Sequence, residues 1–226
     1  VVDVYANYVF PRQSSGASAG FAYDREHSWP KSYGFGDETL MNPAYSDCHH
    51  LYPALKAHNS SRGNCAFACA ETEMAALIAT YDPFGCSGAE VAQNRRFTQE
   101  VEGERYCLWE VWPGRRGDIA RAMFYMAVRY EGGMDLRNCH GEEVWEPDLT
   151  LTDCPAMIVV NKDAWQSGEV AYMGLVSSLL AWHEEDPPDD FERRRNTVIY
   201  LFQGNRNPFI DNPEWAELLF GETIEH

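Results

Sequence analysis

The feature that most constrains the fold is a compact succession of strand, loop, strand and helix between residues 21 and 59. Phe21-Ala22-Tyr23 predicts a short strand that leads into Glu26-His27 and ends at Pro30, because proline interrupts strand pairing. Residues 31–46 contain Gly, Asn and Pro and predict a long surface loop. The first half of the unit therefore places Glu26-His27 where a strand meets a loop.

The second half of the unit begins with Leu51-Tyr52, which predicts another short strand ended by Pro53. A helix is expected to start over Ala54 to His58, with Asn59 on its early turns. The polar motif residues thus fall at the junctions of the unit, where chain ends meet.

These polar residues have complementary chemistry. Glu26 offers a hard oxygen ligand, and His27 is a base that titrates near neutral pH. The amide oxygen of Asn59 could complete a small oxygen-ligand site for Mg²⁺. One metal ion and one activated water suffice to hydrolyse a phosphodiester.

The rest of the chain predicts mainly helices. Gly117-Asp118 begins one that runs to about Tyr130, with apolar side chains at helical spacing. Val170 to Glu184 predicts a second, and Asp189-Asp190 caps a third that ends at Gly204. The fold class is therefore α+β, as a single, mostly helical domain.

Cysteine usage favours an oxidising compartment. The chain contains seven Cys, which is high for a cytosolic protein of this length, and the odd number leaves at least one thiol unpaired. Cys139 and Cys154 bracket a turn-rich segment and are the first pair expected to bond. We expect a secreted or periplasmic protein whose signal peptide has been removed.

The charge of the chain is unevenly distributed. The net charge is −17, but residues 1–70 hold 5 Lys/Arg and 6 Asp/Glu, a net of −1, and the remaining residues carry −16. The candidate site therefore lies in the nearly neutral part, where a polyanion could approach. No apolar run reaches the roughly 18 residues of a membrane span.

Several longer motifs occur in a recognisable order. The runs are Arg-Glu-His-Ser-Trp-Pro-Lys-Ser from Arg25, Asp-x-His-His-Leu-x-Pro from Asp47, Asn-Ser-Ser-Arg-Gly-Asn from Asn59, Arg116 to Met126, and Gln203 to Phe209. Together they resemble the endonuclease I family of secreted and periplasmic bacterial nucleases, in the ββα-metal (His-Me finger) group. The resemblance covers most of the chain from about residue 20 to 215.

The resemblance implies roles for the motif residues. His27 matches the general base, Glu26 the carboxylate metal ligand and Asn59 the amide ligand on the helix. Asp47 and His49 match supporting positions that orient the base or the hydrated metal.

Other matched positions carry less definite roles. At position 50 many members have Asn, and this chain has His50 instead. Arg62 and Asn64 match the family's Arg-x-Asn and either bind phosphate or brace the helix. Arg25 is a further phosphate-binding candidate, and Arg121 on the core helix either forms a salt bridge or reaches the site.

The resemblance also implies an organisation and an activity. One nuclease domain over 1–226 would comprise a ββα-metal core at about 20–75, Cys-bearing loops at about 82–116 and 132–168, and a helical remainder over 117–221. The expected protein is a monomeric Mg²⁺-dependent endonuclease, whose site Mn²⁺ or Ca²⁺ could also occupy. Its expected substrate is DNA, with RNA a second candidate, cut with little sequence specificity to leave 5′-phosphates and without a membrane partner.

Two alternatives stay open at this point. A zinc-dependent phosphoesterase could use His27, His49, His50 and His58. A secreted binding module could keep the fold without catalysis, although the presence of Glu26, His27 and Asn59 together counts against it.

Overall fold

The protein combines α-helices with small β-sheets. The structure is a computed structural model that describes residues 2–6, 9, 23–35, 43–69, 76–79, 93–101, 103–132, 147–160 and 170–221. Its strands are β1 (Tyr23–His27), β2 (Leu51–Leu55), β3 (Ala66–Phe67), β4 (Ala76–Ala79), β5 (Gln93–Val101), β6 (Glu104–Glu110), β7 (Leu149–Leu151) and β8 (Ala171–Met173). Its helices are α1 (Pro43–Ser46), α2 (Lys56–Arg62), α3 (Arg116–Arg129), α4 (Pro155–Val160), α5 (Val176–Glu185), α6 (Asp190–Gln203), α7 (Pro208–Asp211) and α8 (Trp215–Phe220). The predicted α+β class is confirmed.

Strands β1 and β2 form a two-stranded antiparallel sheet, and α2 follows β2 directly. The strand predicted to stop at Pro53 instead continues to Leu55, with Pro53 opposite Arg25. Proline is tolerated here because the sheet has only two strands, so a missing N–H breaks no central ladder. The Pro53 carbonyl accepts a bond from the Val4 N–H at 3.0 Å.

A second sheet has the strand order β3-β6-β5-β4. The long hairpin β5–β6 turns at Gly103, which has a positive φ of 86°. The interpretation of 82–116 as loop-rich is therefore wrong for the residues of β5 and β6. The reason is that β5, Gln-Asn-Arg-Arg-Phe-Thr-Gln-Glu-Val, lacks the apolar alternation by which a half-buried strand is recognised.

The disulfide differs from the pair expected first. Cys65, just before β3, is bonded to Cys107 in β6. Cys154 is a free thiol, so the expected bond from Cys154 is not formed; Cys139 lies outside the described residues. Strand pairing explains the observed bond, because the parallel β3–β6 register places Ala66 opposite Leu108 and so brings their preceding neighbours together.

The central helix α3 is the hub of the core. Every residue from Gly117 to Ala127 is buried, and the helix packs against α5, α7 and β7. The prediction of a helix from Gly117 to about Tyr130 is confirmed. Asp118 lies in its first turn, where a carboxylate interacts favourably with the helix dipole.

The segment predicted as one helix from Val170 is divided in two. Residues Ala171–Met173 form β8, parallel to β7, and the helix starts only at Val176. Gly174 separates them with φ 142°, and a Cβ there would lie 2.7 Å from the Thr152 carbonyl oxygen. The helical remainder expected over 117–221 thus also contains the short strands β7 and β8.

The third predicted helix is confirmed as α6. Asp189 caps its start by accepting the Glu192 N–H at 2.7 Å, and Gly204 ends it in the left-handed conformation. Within the described parts of the chain, no helix is both long and apolar enough to span a membrane.

Candidate active site

A polar cleft opens beside the ββα unit formed by β1, β2 and α2. Its volume is about 370 Å³. Its walls come from β1 and the turn after it, from α1 and from the last turns of α2. The lining residues are Asp24, Arg25, Glu26, His27, Pro30, Lys31, Tyr45, Asn59, Arg62, Gly63 and Asn64. The three residues predicted to carry the chemistry, Glu26, His27 and Asn59, are therefore brought together.

Glu26 presents its carboxylate at the base of this cleft. The residue is only 2% exposed, and its Oε1 accepts bonds from the Tyr5 hydroxyl at 2.7 Å and from Arg62 Nη1 at 3.0 Å. Burial raises the pKa of Glu26 above its ordinary value, and the Arg62 charge and the Tyr5 O–H oppose that rise. A buried carboxylate with two donors is held in one orientation.

Arg62 braces the floor of the cleft. Its guanidinium is 1% exposed and lies over the Phe67 ring at 4.5 Å from the ring centroid. Besides Glu26 it binds backbone carbonyls, with Nη1 3.0 Å from the His27 oxygen and Nη2 2.7 Å from the Ser28 oxygen. Of the two roles predicted for Arg62, these contacts favour bracing the unit.

His27 is held by one ring nitrogen. Its Nε2 lies 3.1 Å from the carbonyl oxygen of Tyr45. A carbonyl only accepts hydrogen bonds, so Nε2 carries the proton and Nδ1 keeps its lone pair. Burial lowers the pKa of His27 to about 4, with the Tyr45 carbonyl opposing the shift. The imidazole is thus neutral at neutral pH, as a general base must be.

Asn59 lies on α2 and reaches back to β1. Its Nδ2 donates to the carbonyl oxygen of Arg25 at 3.3 Å, which makes Oδ1 the atom that the amide can offer to a ligand. A carboxylate and an amide oxygen in a polar cleft fit Mg²⁺, which binds one or two carboxylates and keeps several waters. Glu26 and Asn59 are the residues that could hold the ion.

Three polar side chains are exposed along the cleft. Arg25, Lys31 and Asn64 all line it, and the Arg25 guanidinium lies 5.9 Å from the centroid of the Tyr45 ring. Two cations beside a buried carboxylate favour an anionic ligand.

Asp47 lies behind the cleft and connects several elements. It accepts bonds from the His49 N–H, the Tyr125 and Tyr130 hydroxyls and Gln203 Nε2, all at 2.7–2.9 Å. Burial raises the pKa of Asp47, and these donors together bring it below its ordinary value. Asp47 therefore fixes the loop that leads into β2.

His49 and His50 each direct Nε2 to a backbone carbonyl, although the His50 ring centroid lies only 5.3 Å from that of His27. His50 is fully buried, its Nε2 donates to the Ala44 carbonyl at 2.8 Å, and burial lowers its pKa to about 3. His49 Nε2 donates to the Asn205 carbonyl at 3.2 Å. Among the residues that the structure describes, no three His, Cys, Asp or Glu side chains are grouped to hold a metal ion.

Arg121 lies outside the cleft. It is 1% exposed and pairs with Glu192, with Nη2 2.6 Å from Oε2, and its Nη1 donates to the Asp186 carbonyl at 2.8 Å. The structure therefore places Arg121 between α3, α5 and α6, where it connects helices. The segment after α6 is architectural too, because Asn207 Nδ2 donates to the Arg121 carbonyl at 2.9 Å.

Two contributors to the site were missed by sequence reasoning. Tyr45 acts through its backbone carbonyl, which any residue could supply, so its side-chain identity gave no signal. Tyr5 reaches Glu26 from 21 residues earlier in the chain, and no spacing rule connects the two. Lys31, whose positive charge suits a phosphate, also lines the cleft.

The fold and the cleft define a mixed α+β protein whose ββα unit presents a carboxylate, an imidazole and an amide at one polar site. The family model described as Endonuclease I matches residues 1–214. The chain belongs to the endonuclease I family.

Two curated relatives cover nearly all of this chain. Proteins named extracellular ribonuclease from Bacillus subtilis (strain 168) and from Bacillus amyloliquefaciens are each 37% identical to it over 219 residues, which is 96% of this chain. The matched region makes up 60% of each relative, so the chain spans about three fifths of their length.

Proposed function

We propose that this protein is a Mg²⁺-dependent endonuclease that hydrolyses phosphodiester bonds of DNA, and of RNA as a second substrate. The observation that carries the proposal is the pairing of Glu26 with His27 on one cleft. His27 Nε2 is held by the Tyr45 carbonyl, so Nδ1 is the basic atom. Carboxylate and base are thereby assigned separate tasks.

In the proposed reaction, His27 Nδ1 takes a proton from a water molecule as the water oxygen attacks the phosphorus. The bond from phosphorus to O3′ breaks, and the departing oxygen is protonated by solvent. The products carry a 5′-phosphate and a 3′-hydroxyl. Glu26 and Asn59 would hold Mg²⁺, which would supply stabilisation of the negative charge that develops during the reaction; Mn²⁺ or Ca²⁺ could occupy the same site.

The surface around the cleft suits a polyanion. Arg25 and Lys31 are exposed at the cleft, and residues 1–70 have a net charge of only −1. Contacts from such side chains to phosphates carry no sequence information, which supports cleavage with little sequence specificity.

The relatives' names bear on substrate and location. Both are called extracellular ribonuclease, which supports RNA as a substrate and secretion as the destination of this chain. The disulfide between Cys65 and Cys107 also favours an oxidising compartment.

The zinc alternative has less support. His27, His49 and His50 each direct Nε2 to a different backbone carbonyl, from Tyr45, Asn205 and Ala44 respectively. Oxygen donors from Glu26 and Asn59 match Mg²⁺ better than a zinc site built from imidazoles.

The test is nicking of supercoiled plasmid with Mg²⁺, with and without EDTA, and in parallel cleavage of a single-stranded RNA. Wild-type protein should cleave with Mg²⁺ and stop with EDTA. His27→Ala should be slower by about 10²–10⁴-fold, the usual contribution of a general base.

His183→Ala is the matched control, because His183 also donates Nε2 to a carbonyl, that of Pro213 at 2.9 Å, but does not line the cleft. It should cleave like the wild type. Absence of nicking with Mg²⁺, which a non-catalytic binding module would show, or undiminished nicking by His27→Ala would overturn the proposal.

A further inference from the structure

The carboxylate of Glu26 is oriented from behind by a residue far from the ββα motif. The Tyr5 hydroxyl donates to Oε1 at 2.7 Å, and Arg62 Nη1 lies 3.0 Å from the same oxygen. Two donors on one oxygen fix the rotation of the carboxyl group about its last bond. The second oxygen, Oε2, is then the one to serve a cation in the cleft that Glu26 lines.

Tyr5 itself is held rigidly. It is fully buried, and the edge of its ring packs against Trp109 with the ring centroids 5.5 Å apart. The Tyr5 carbonyl accepts a bond from Asn94 Nδ2 in β5. The phenol therefore cannot swing away from Glu26 without disturbing the β5–β6 sheet.

Asp3 anchors the backbone of this segment. Its Oδ1 accepts the N–H groups of Tyr5 at 2.6 Å and Ala6 at 3.0 Å, and its Oδ2 accepts the Leu55 N–H at 2.6 Å. Leu55 immediately precedes α2, the helix that carries Asn59 and Arg62. One buried carboxylate thus ties the turn that bears Tyr5 to the helix that completes the site.

We propose that Tyr5 is a positioning residue for the metal site, whose hydroxyl holds the Glu26 carboxylate in its ligating orientation. This inference rests on the proposed function and deepens it. A purely structural tyrosine would need only its ring against Trp109, whereas here the hydroxyl is directed at the buried Glu26 carboxylate of the cleft. Groups that orient metal ligands typically contribute 10–100-fold in metal affinity.

The test is the affinity of the protein for Mn²⁺, measured by isothermal titration calorimetry on wild type and Tyr5→Phe. Phenylalanine keeps the ring and removes only the donor. Mn²⁺ should bind Tyr5→Phe about 10–100-fold more weakly. In plasmid nicking, the Mg²⁺ concentration for half-maximal rate should rise by a similar factor, while the rate at saturating Mg²⁺ recovers most of the wild-type value.

Tyr52→Phe is the matched control. Tyr52 is also a buried tyrosine and is the cross-strand neighbour of Glu26, but its hydroxyl donates to the Asp118 carbonyl at 3.2 Å and not to the Glu26 carboxylate. It should lose stability comparably in urea unfolding but keep wild-type Mn²⁺ affinity. A loss of stability shared by both variants is therefore separated from an effect on the metal site.

The outcomes separate this inference from the function it rests on. If wild type binds no Mn²⁺, the proposed metal dependence fails and the inference with it. If wild type binds Mn²⁺ and Tyr5→Phe binds it equally well, or if Tyr52→Phe is weakened to the same degree, only the role of Tyr5 is overturned.

Discussion

Two regions of the protein each contain a buried ion pair between an arginine and a glutamate, but the surroundings of the two pairs differ. In the ββα unit, Arg62 pairs with Glu26, and in the helical layer of α3, α5 and α6, Arg121 pairs with Glu192. The exposed fractions are 1% for both arginines and 2% and 1% for the two glutamates. Burial raises the pKa of both carboxyl groups, that of Glu192 to about 7.

The difference lies in what surrounds each pair. Glu26 lines an open polar cleft beside an imidazole and an amide, whereas Glu192 is enclosed between helices. Burial and a perturbed pKa therefore do not distinguish a candidate site from a structural ion pair. Access to a cleft, together with other reactive groups, makes that distinction.

Replacing either arginine tests the structural side of this comparison most strongly. Arg121→Met should lower the free energy of unfolding by about 3–5 kcal/mol, because Glu192 is left buried without its partner. Urea unfolding at pH 7 measures the loss. Arg62→Met should lose a similar amount and also weaken Mn²⁺ binding. Weaker Mn²⁺ binding by folded Arg121→Met would break the comparison.

Replacing the carboxylates tests the chemical side. Glu26→Gln should slow plasmid nicking by about 10²–10³-fold at saturating Mg²⁺, because a neutral amide is a poorer ligand for the ion that stabilises the developing charge. Glu192→Gln is the control and should nick at the wild-type rate below its unfolding temperature. Equal rates for the two variants would contradict the assignment of Glu26.

The histidines offer a pH-dependent version of the comparison. The pKa of His50 is about 3 in the folded protein, against an ordinary value of 6.5, so between these values the unfolded chain binds a proton that the folded chain does not. Stability should therefore fall as the pH drops through 6.5 toward 3.

His50→Asn should reduce this loss, and urea midpoints at pH 7 and pH 5 measure it. The control is His183→Asn in the helical layer. Burial also lowers the pKa of His183, but its side chain is only half-buried. Its effect should be smaller. Unchanged acid sensitivity of His50→Asn would show that other groups govern it.

The smallest effect is expected from an exposed arginine at the cleft. Arg25→Gln should raise the KM for DNA by about 2–5-fold and reduce the salt dependence of binding by about one counterion, because a single phosphate contact is lost. Arg194→Gln, exposed on α6, should change neither quantity. A matching effect of Arg194→Gln would indicate that DNA binding extends over the helical layer.

Much of the candidate site could be anticipated from local sequence. The short range from Glu26 to Arg62 contains the carboxylate, imidazole, amide and brace, and their order on strand, strand and helix follows from proline and apolar spacing. The predicted end of β2 at Pro53 is wrong because a two-stranded sheet tolerates a proline, so the strand continues to Leu55.

Features that depend on long-range contacts were harder to predict from the sequence. The polar strand β5 carries no apolar period, and Gly174 interrupts what looks like a continuous apolar helix. The Cys65–Cys107 bond depends on the pairing of β3 with β6 across 42 residues, which spacing alone does not reveal. The roles of Arg62 and Arg121 likewise depended on which partner each guanidinium met.

The sequence by itself determined the chemistry available to this protein, because residue types and their order along one ββα unit define a carboxylate, a base and an amide close together. Only the tertiary structure decided which atoms are offered to the cleft. The Tyr45 carbonyl accepts a hydrogen bond from Nε2 of His27, 18 residues away in the chain. Tyr5 and Arg62 donate hydrogen bonds to Oε1 of Glu26 across 21 and 36 residues. Such contacts arise from packing of the whole chain, and no local pattern encodes them.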